Sequence, residues 1–146
     1  MAEVKRQQTH FSRVEPAWQS FLERVPTVSD AAAAGRSELV TLWAWLGYFN
    51  RAVRLHQAAQ DVVNRFEGIF PRDLVGLMSL PGIGSYTARA VRAFAFELPA
   101  AVVDTNVTRV LARVSGRALT AAEAQRVADE WVEGADPWLW NQAMID

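Results

Sequence analysis

The run Leu80-Pro81-Gly82-Ile83-Gly84-Ser85-Tyr86-Thr87-Ala88 constrains this chain more than any other stretch. Gly82 and Gly84 permit a positive φ and carry no side chain to hold a ligand away from the backbone. Ser85 is a favoured N-cap residue, and Thr87 to Phe96 keeps a helical period. The pattern predicts a tight hairpin that opens into a helix, with consecutive amide N–H groups pointing outward. Such an N-terminus is a site for an anion. Further along, Ala101-Val102-Val103-Asp104-Thr105-Asn106-Val107-Thr108-Arg109-Val110-Leu111-Ala112-Arg113 sets a carboxylate at the mouth of a second helix. A helix N-terminus stabilises negative charge. The plainer alternative is that Asp104 does no more than cap.

The rest of the chain reads as helix. No period-2 stretch bounded by turn residues interrupts it, so the expected fold class is all-α. Phe11 to Arg24 carries Val14, Trp18, Phe21 and Leu22 on one side and is stopped by Pro26. Asp30 and the alanine run predict a short helix ended by Gly35, and Ser37 is expected to cap a helix through Leu46, closed by Gly47. Asn50 to Phe66 is amphipathic through Val53, Ala58, Val62, Val63 and Phe66, and Gly68 ends it. Asp73 to Ser79 is a short helix before the hairpin, and the whole hairpin motif covers about 74–96. Thr105 to Val114 follows Asp104. Thr120 and Glu123 form a capping box for a helix through Glu133, and Pro137 begins the last helix. The six tryptophans fall at helical spacing among apolar neighbours, which predicts core packing for Trp18, Trp43, Trp45, Trp131, Trp138 and Trp140. His56 sits on an amphipathic helix and is expected to be structural.

Composition narrows the function. With 146 residues, 51% hydrophobic, the chain suits one domain with a core of its own. It has no cysteine, which excludes disulfides and thiolate metal sites within it, and His10 and His56 alone make no metal site. No apolar run is long enough to span a membrane, and no signal-peptide core opens the chain, so no membrane partner and a cytoplasmic location are expected. A net charge of −1 argues against strong electrostatic binding of a duplex. The charge is uneven, however. From Gly84 to Arg117, five arginines against Glu97 and Asp104 give +3, and from Ala118 to Asp146 six acids against Arg126 give −5. A basic face can survive inside an acidic total; the alternative is an ordinary solvated helix face.

These features together resemble the helix-hairpin-helix base-excision DNA glycosylase superfamily, and within it the MutY-like adenine glycosylases. The resemblance runs from Glu3 to Asp146. Its parts, in the family's order, are Glu3-Val4 with Gln7-Gln8-Thr9, Leu46-Gly47-Tyr48 with Arg51-Ala52 and Leu55-His56, the hairpin, Val103 to Val107 with Arg109-Val110-Leu111, and Asn141-Gln142-Ala143-Met144. It implies a helix-hairpin-helix glycosylase fold, largely its six-helix barrel part, as a single catalytic domain. A helix before Glu3 and a lesion-reading C-terminal domain belong to the family pattern, so the chain is expected to be truncated at both ends.

The resemblance also implies roles. Removing a base needs an acid for the leaving base and a carboxylate for the cationic sugar. Glu3 would protonate adenine N7 and later assist water, and Asp104 would stabilise the oxocarbenium ion. Asn106 would orient Asp104 and the water. Tyr86 stands where bifunctional relatives such as endonuclease III carry a Schiff-base lysine; a phenol forms no imine, so a monofunctional enzyme is expected. The duplex must release its base into a pocket, with Gln8 as wedge, Gln7 supporting it, and Leu46, Gly47 and Tyr48 near an opposite 8-oxoguanine. Gly82, Gly84, Ser85 and Thr87 would hold the DNA backbone, and Gln142 would contact the flipped adenine. The plain alternatives are hairpin packing for Tyr86, core cover for Leu46 and Tyr48, and a solvated helix position for Gln142.

Lys5 and Arg6 depart from the family's apolar turn. Buried unpaired, they would cost several kcal/mol, so either that turn is displaced and solvated or residues that belong before it are missing. The family's four-cysteine iron–sulfur cluster would lie beyond the Asn141–Met144 motif, leaving no cofactor within this chain. The implied partner is double-stranded DNA with a flipped-out base, bound by a monomer, nucleoid-associated in a bacterium. Two other functions stay open: a thymine or uracil mismatch glycosylase of the same superfamily, and an inactive helix-hairpin-helix DNA-binding module.

Overall fold

A computed structural model of the chain describes residues 11–43 and 49–145, with side chains from Trp18 onward in the first helix. Among the described residues every regular element is a helix, as the all-α expectation requires. They divide into two compact units, one taking residues up to Phe70 with Leu80–Gly82, the other Pro71–Ser79 with the residues from Ile83 onward.

The first unit holds α1 (Phe11–Arg24), α2 (Val28–Ala33), α3 (Arg36–Leu42) and α4 (Phe49–Phe66). Thr27 starts α2 with a capping box: its Oγ accepts from Asp30 N at 3.1 Å, and its own N–H donates to Asp30 Oδ2 at 3.1 Å. Gly35 caps α3, two residues before the expected cap Ser37, and α3 ends at Leu42 and not at Leu46. Phe21, Val25, Ala31, Leu39 and Ala59 form the core, with α2 and α3 both lying on α4. The buried face of α4 is made mostly of Ala52, Ala58, Ala59 and Val62, small side chains that let neighbouring backbones approach. His56 shares that face; its Nε2 lies 3.3 Å from Ala32 O, so the imidazole has the structural role expected of it.

The second unit holds α5 (Leu74–Met78), α6 (Ser85–Ala90), α7 (Thr105–Ser115), α8 (Ala121–Val132) and α9 (Pro137–Ile145). Asp73 caps α5, accepting from Gly76 N at 2.7 Å. Val91–Ala95 prolongs α6 as a π-helical turn, closed by Phe96 N donating to Val91 O at 3.2 Å. Glu97 then leaves the helix at φ 52°. The core here is Ala101, Val107, Leu111, Ala124, Ala128 and Val132, with Trp140 and Met144 against it. Gly116 ends α7 at φ 67°, and Thr120 with Glu123 forms the capping box expected for α8.

Trp43 and Trp140 pack against the two cores as expected, but three other tryptophans correct the expectation. Trp18, Trp131 and Trp138 are all substantially exposed, and Trp45 lies outside the described residues. Trp18 stacks on Phe21 at 5.6 Å instead of filling the core, because Phe21 and Val25 take the buried stripe of α1. Leu22, expected on that stripe, is exposed too. No helix among the described residues is long and apolar enough to cross a membrane.

Candidate functional site

The N-terminus of α6 is open. Gly84, not Ser85, is the N-cap, and no side chain caps the helix. The first bonded amide is that of Ala88, which donates to Gly84 O at 2.9 Å. The amides of Ser85, Tyr86 and Thr87 precede it in the turn whose donors find no intrahelical acceptor. Gly84 through Thr87 are all exposed, Tyr86 to 51%, while Ala88 is fully buried. Gly84 has φ −88°, so its value is space and not a left-handed turn. A Cβ added there would meet nothing within 4 Å. Gly82 does adopt φ 82°, and a Cβ on it would stand 2.9 Å from Arg54 Cβ. The two glycines therefore differ: one shapes the hairpin and the other keeps its surface clear.

Asp104 caps α7. Its Oδ1 accepts from Asn106 N and Val107 N, each at 2.8 Å, and its carbonyl accepts from Thr108 Oγ1 at 2.8 Å. The capping alternative is thus realised in full, but it uses one carboxylate oxygen. Oδ2 accepts no hydrogen bond from the described residues. The partly buried carboxylate lines a cleft of about 430 Å³ with Val103, Thr105, Thr108, Ala121 and Gln125. An anchored carboxylate with one open oxygen can face a developing positive charge without moving. Asn106 meets Asp104 through its backbone; its exposed side chain accepts from Arg109 at 3.4 Å.

The segment that delivers Asp104 is fastened by residues outside the candidate set. Asn141 on α9 is fully buried; its Oδ1 accepts from Val102 N at 2.7 Å and its Nδ2 donates to Ala100 O at 2.9 Å. A polar residue with apolar neighbours on a helix was the available signal. Gln142, beside it, is half-buried, on a helix that packs against α7. Gln125 on α8 donates to Ala101 O at 3.1 Å. Glu3, Gln7, Gln8, Leu46, Gly47 and Tyr48 lie outside the described residues.

Two of the five arginines meet a carboxylate. Arg89 is paired with Asp129, Arg92 donates to Arg72 O at 2.7 Å, and Arg117 meets Glu123 at 2.9 Å. Arg109 and Arg113 remain exposed on α7. Glu123 is the one group with a clear shift among the described residues. The Thr120 backbone N–H, then its hydroxyl and Arg117, hold the Glu123 carboxyl down at about 2. Among the described residues no cluster of His, Cys, Asp and Glu could hold a metal.

Three comparisons bear on this geometry. The family described as HhH-GPD superfamily base excision DNA repair protein matches residues 1–133. The chain is 46% identical over 129 residues to the adenine DNA glycosylase of Mycolicibacterium smegmatis, covering 88% of this chain and 44% of that protein. It is 37% identical over 153 residues to the human adenine DNA glycosylase, covering 100% of this chain and 28% of that one. The chain therefore spans less than half the length of these curated relatives. Among solved structures, a thermostable thymine-DNA glycosylase superposes with a TM-score of 0.82 at 27% identity, over 99% of this chain and 69% of its own. A trapped endonuclease III–DNA covalent intermediate gives 0.75 at 28% identity, over 92% of this chain and 64% of its own.

Proposed function

Because the chain belongs to the HhH-GPD superfamily of base excision DNA repair proteins, we propose that it is the catalytic domain of a monofunctional adenine DNA glycosylase. Its substrate is duplex DNA in which adenine faces 8-oxoguanine or guanine. The observation that carries this reading is Asp104, which lines a cleft and is tied through Oδ1 to the start of α7, while its Oδ2 accepts no hydrogen bond from the described residues.

The reaction breaks the bond between adenine N9 and C1′ of the sugar. The adenine is extruded from the stack, and the open amides of α6 grip a backbone phosphate. Glu3 gives a proton to adenine N7. As the bond lengthens, positive charge grows on the sugar, and the Asp104 carboxylate opposes it electrostatically. Water then adds at C1′, with Glu3 taking its proton. Tyr86 has no amine to attack the sugar, so the strand is left intact. Gln8 fills the vacated space, Gln7 supports it, and Leu46, Gly47 and Tyr48 meet the opposite base, with Gln142 toward the adenine. The chain has no cysteine, so its own residues do not fit the thiolates of an iron–sulfur cluster; no step of the reaction depends on one. The protein acts as a monomer in the compartment that holds the DNA.

Asp104→Asn separates this function from capping. Asparagine caps a helix about as well as aspartate, so the fold should hold while base release drops at least about 100-fold. Single-turnover release at the wild-type rate would refute the assignment. Gly84→Val should weaken every duplex alike, since a Cβ there meets nothing within 4 Å in the protein and the added bulk would stand beside the amides proposed to hold a phosphate. The likeness to a thymine-DNA glycosylase favours a second substrate reading. Release of thymine from a T:G duplex, with none of adenine opposite 8-oxoguanine, would establish that one instead.

A further inference from the structure

We propose that Arg89, Asp129 and Gln125 form a positioning linkage that sets the Asp104 carboxylate relative to the open N-terminus of α6. Arg89 stands on α6 just past the exposed amides. Its guanidinium meets Asp129 of α8 with both Nη atoms, the Nη2–Oδ2 bond being 3.1 Å, and its side chain is only 14% exposed. Asp129 Oδ1 also accepts from Gln125 Nε2 at 3.1 Å. The same Nε2 donates to Ala101 O at 3.1 Å, three residues ahead of Asp104. One chain of hydrogen bonds thus runs from the helix whose N-terminus is uncapped to the segment that presents the carboxylate.

Two features argue that the linkage serves position more than stability. With the Asp129 side chain 41% exposed, the pair contributes little net stability, yet its bidentate geometry fixes distance and angle. Ala100–Val103 also lacks helical hydrogen bonds of its own, so side chains must hold it. Asn141 holds Val102 N and Ala100 O, and Gln125 holds Ala101 O, the carbonyl between them. Gln125 in addition walls the cleft that Asp104 lines. If a phosphate is bound at α6, the sugar joined to it meets Asp104 at a separation this linkage sets. The proposal rests on the glycosylase reading for its chemistry, but the restraint it describes is measurable without turnover.

The test is Gln125→Met in the full-length protein, which keeps the side-chain length and removes both donated bonds. Displacement of a reacting group by about 1 Å costs up to roughly 100-fold in rate. Single-turnover adenine release should fall toward that limit with duplex affinity unchanged, and amide hydrogen exchange across residues 101–104 should speed up. Asp129→Asn should shift both readouts the same way, and it serves if the first variant fails to fold. Leu39→Ala, a core change in the other unit, controls for lost stability. Unchanged release and exchange in Gln125→Met would overturn the linkage, as would an equal rate loss in Leu39→Ala. A wild-type protein that releases no base would sink the glycosylase reading, and the exchange measurement would still decide the linkage.

Discussion

Helices α7 and α9 pack against each other and follow opposite rules. On α7 the fully buried residues are apolar, Val107 and Leu111, and the charged ones, Arg109 and Arg113, face water together with Val110 and Val114. On α9 the fully buried residue is Asn141, while Leu139 is 63% exposed and Trp138 50%. The difference lies in what each helix must satisfy. α7 faces other side chains on α8, so burial of apolar area decides its orientation. α9 faces a stretch of extended backbone at Ala100–Val102, whose polar groups must be paired once buried. A side-chain amide carries both a donor and an acceptor, and Asn141 uses both there. In this protein the helix that looks least ordinary in composition is the one that secures the segment leading to the candidate catalytic carboxylate.

The largest stability change should come from α7. Leu111→Ala should cost about 2–5 kcal/mol, read by chemical denaturation, because the fully buried leucine leaves a cavity. On α9 the comparison can be broken by sign. Pattern logic predicts that Asn141→Leu stabilises, whereas the hydrogen bonds predict destabilisation by about 2 kcal/mol, from two orphaned backbone groups less the gain of apolar burial. A more stable Asn141→Leu variant would mean that apolar burial, and not the pairing of backbone groups, orients α9.

Acid should act on α8, the helix that closes the apolar face of α7. The folded Glu123 carboxyl titrates at about 2, below its ordinary value of 4.5. Its contribution is therefore complete above pH 4.5 and disappears as pH falls through about 2. Glu123→Gln should flatten the thermal midpoint against pH across that window. The smallest effect should be Leu139→Ala, within about 0.5 kcal/mol, since that leucine already faces water. A larger loss would mean that the exposed side of α9 is covered in solution.

Local chemistry made much of the fold readable from the residues. The Thr120–Glu123 box, Asp73 before α5 and Gly116 after α7 appear where local hydrogen bonding puts them. Asp104 was legible for the same reason, since capping is a contact between near neighbours. Ser85 misled because it is a better cap than glycine in isolation; Gly84 has that position, and the missing side chain leaves the amides open. The arginine count could not show which charges are already paired, because formal charge says nothing of partners forty residues away, as with Arg89 and Asp129.

What the chain order alone determined were most of the helices, the caps at Asp73, Asp104 and Thr120, the hairpin and the carboxylate at the head of α7, all products of interactions spanning a few residues. Only the tertiary structure decided that Asp104 lines a cleft, that Asn141 turns inward while Trp138 and Leu139 stay exposed, and that Gln125 joins Asp129 to the Ala101 carbonyl. Those outcomes depend on pairing buried polar groups between distant segments, and no local preference encodes which segments will meet.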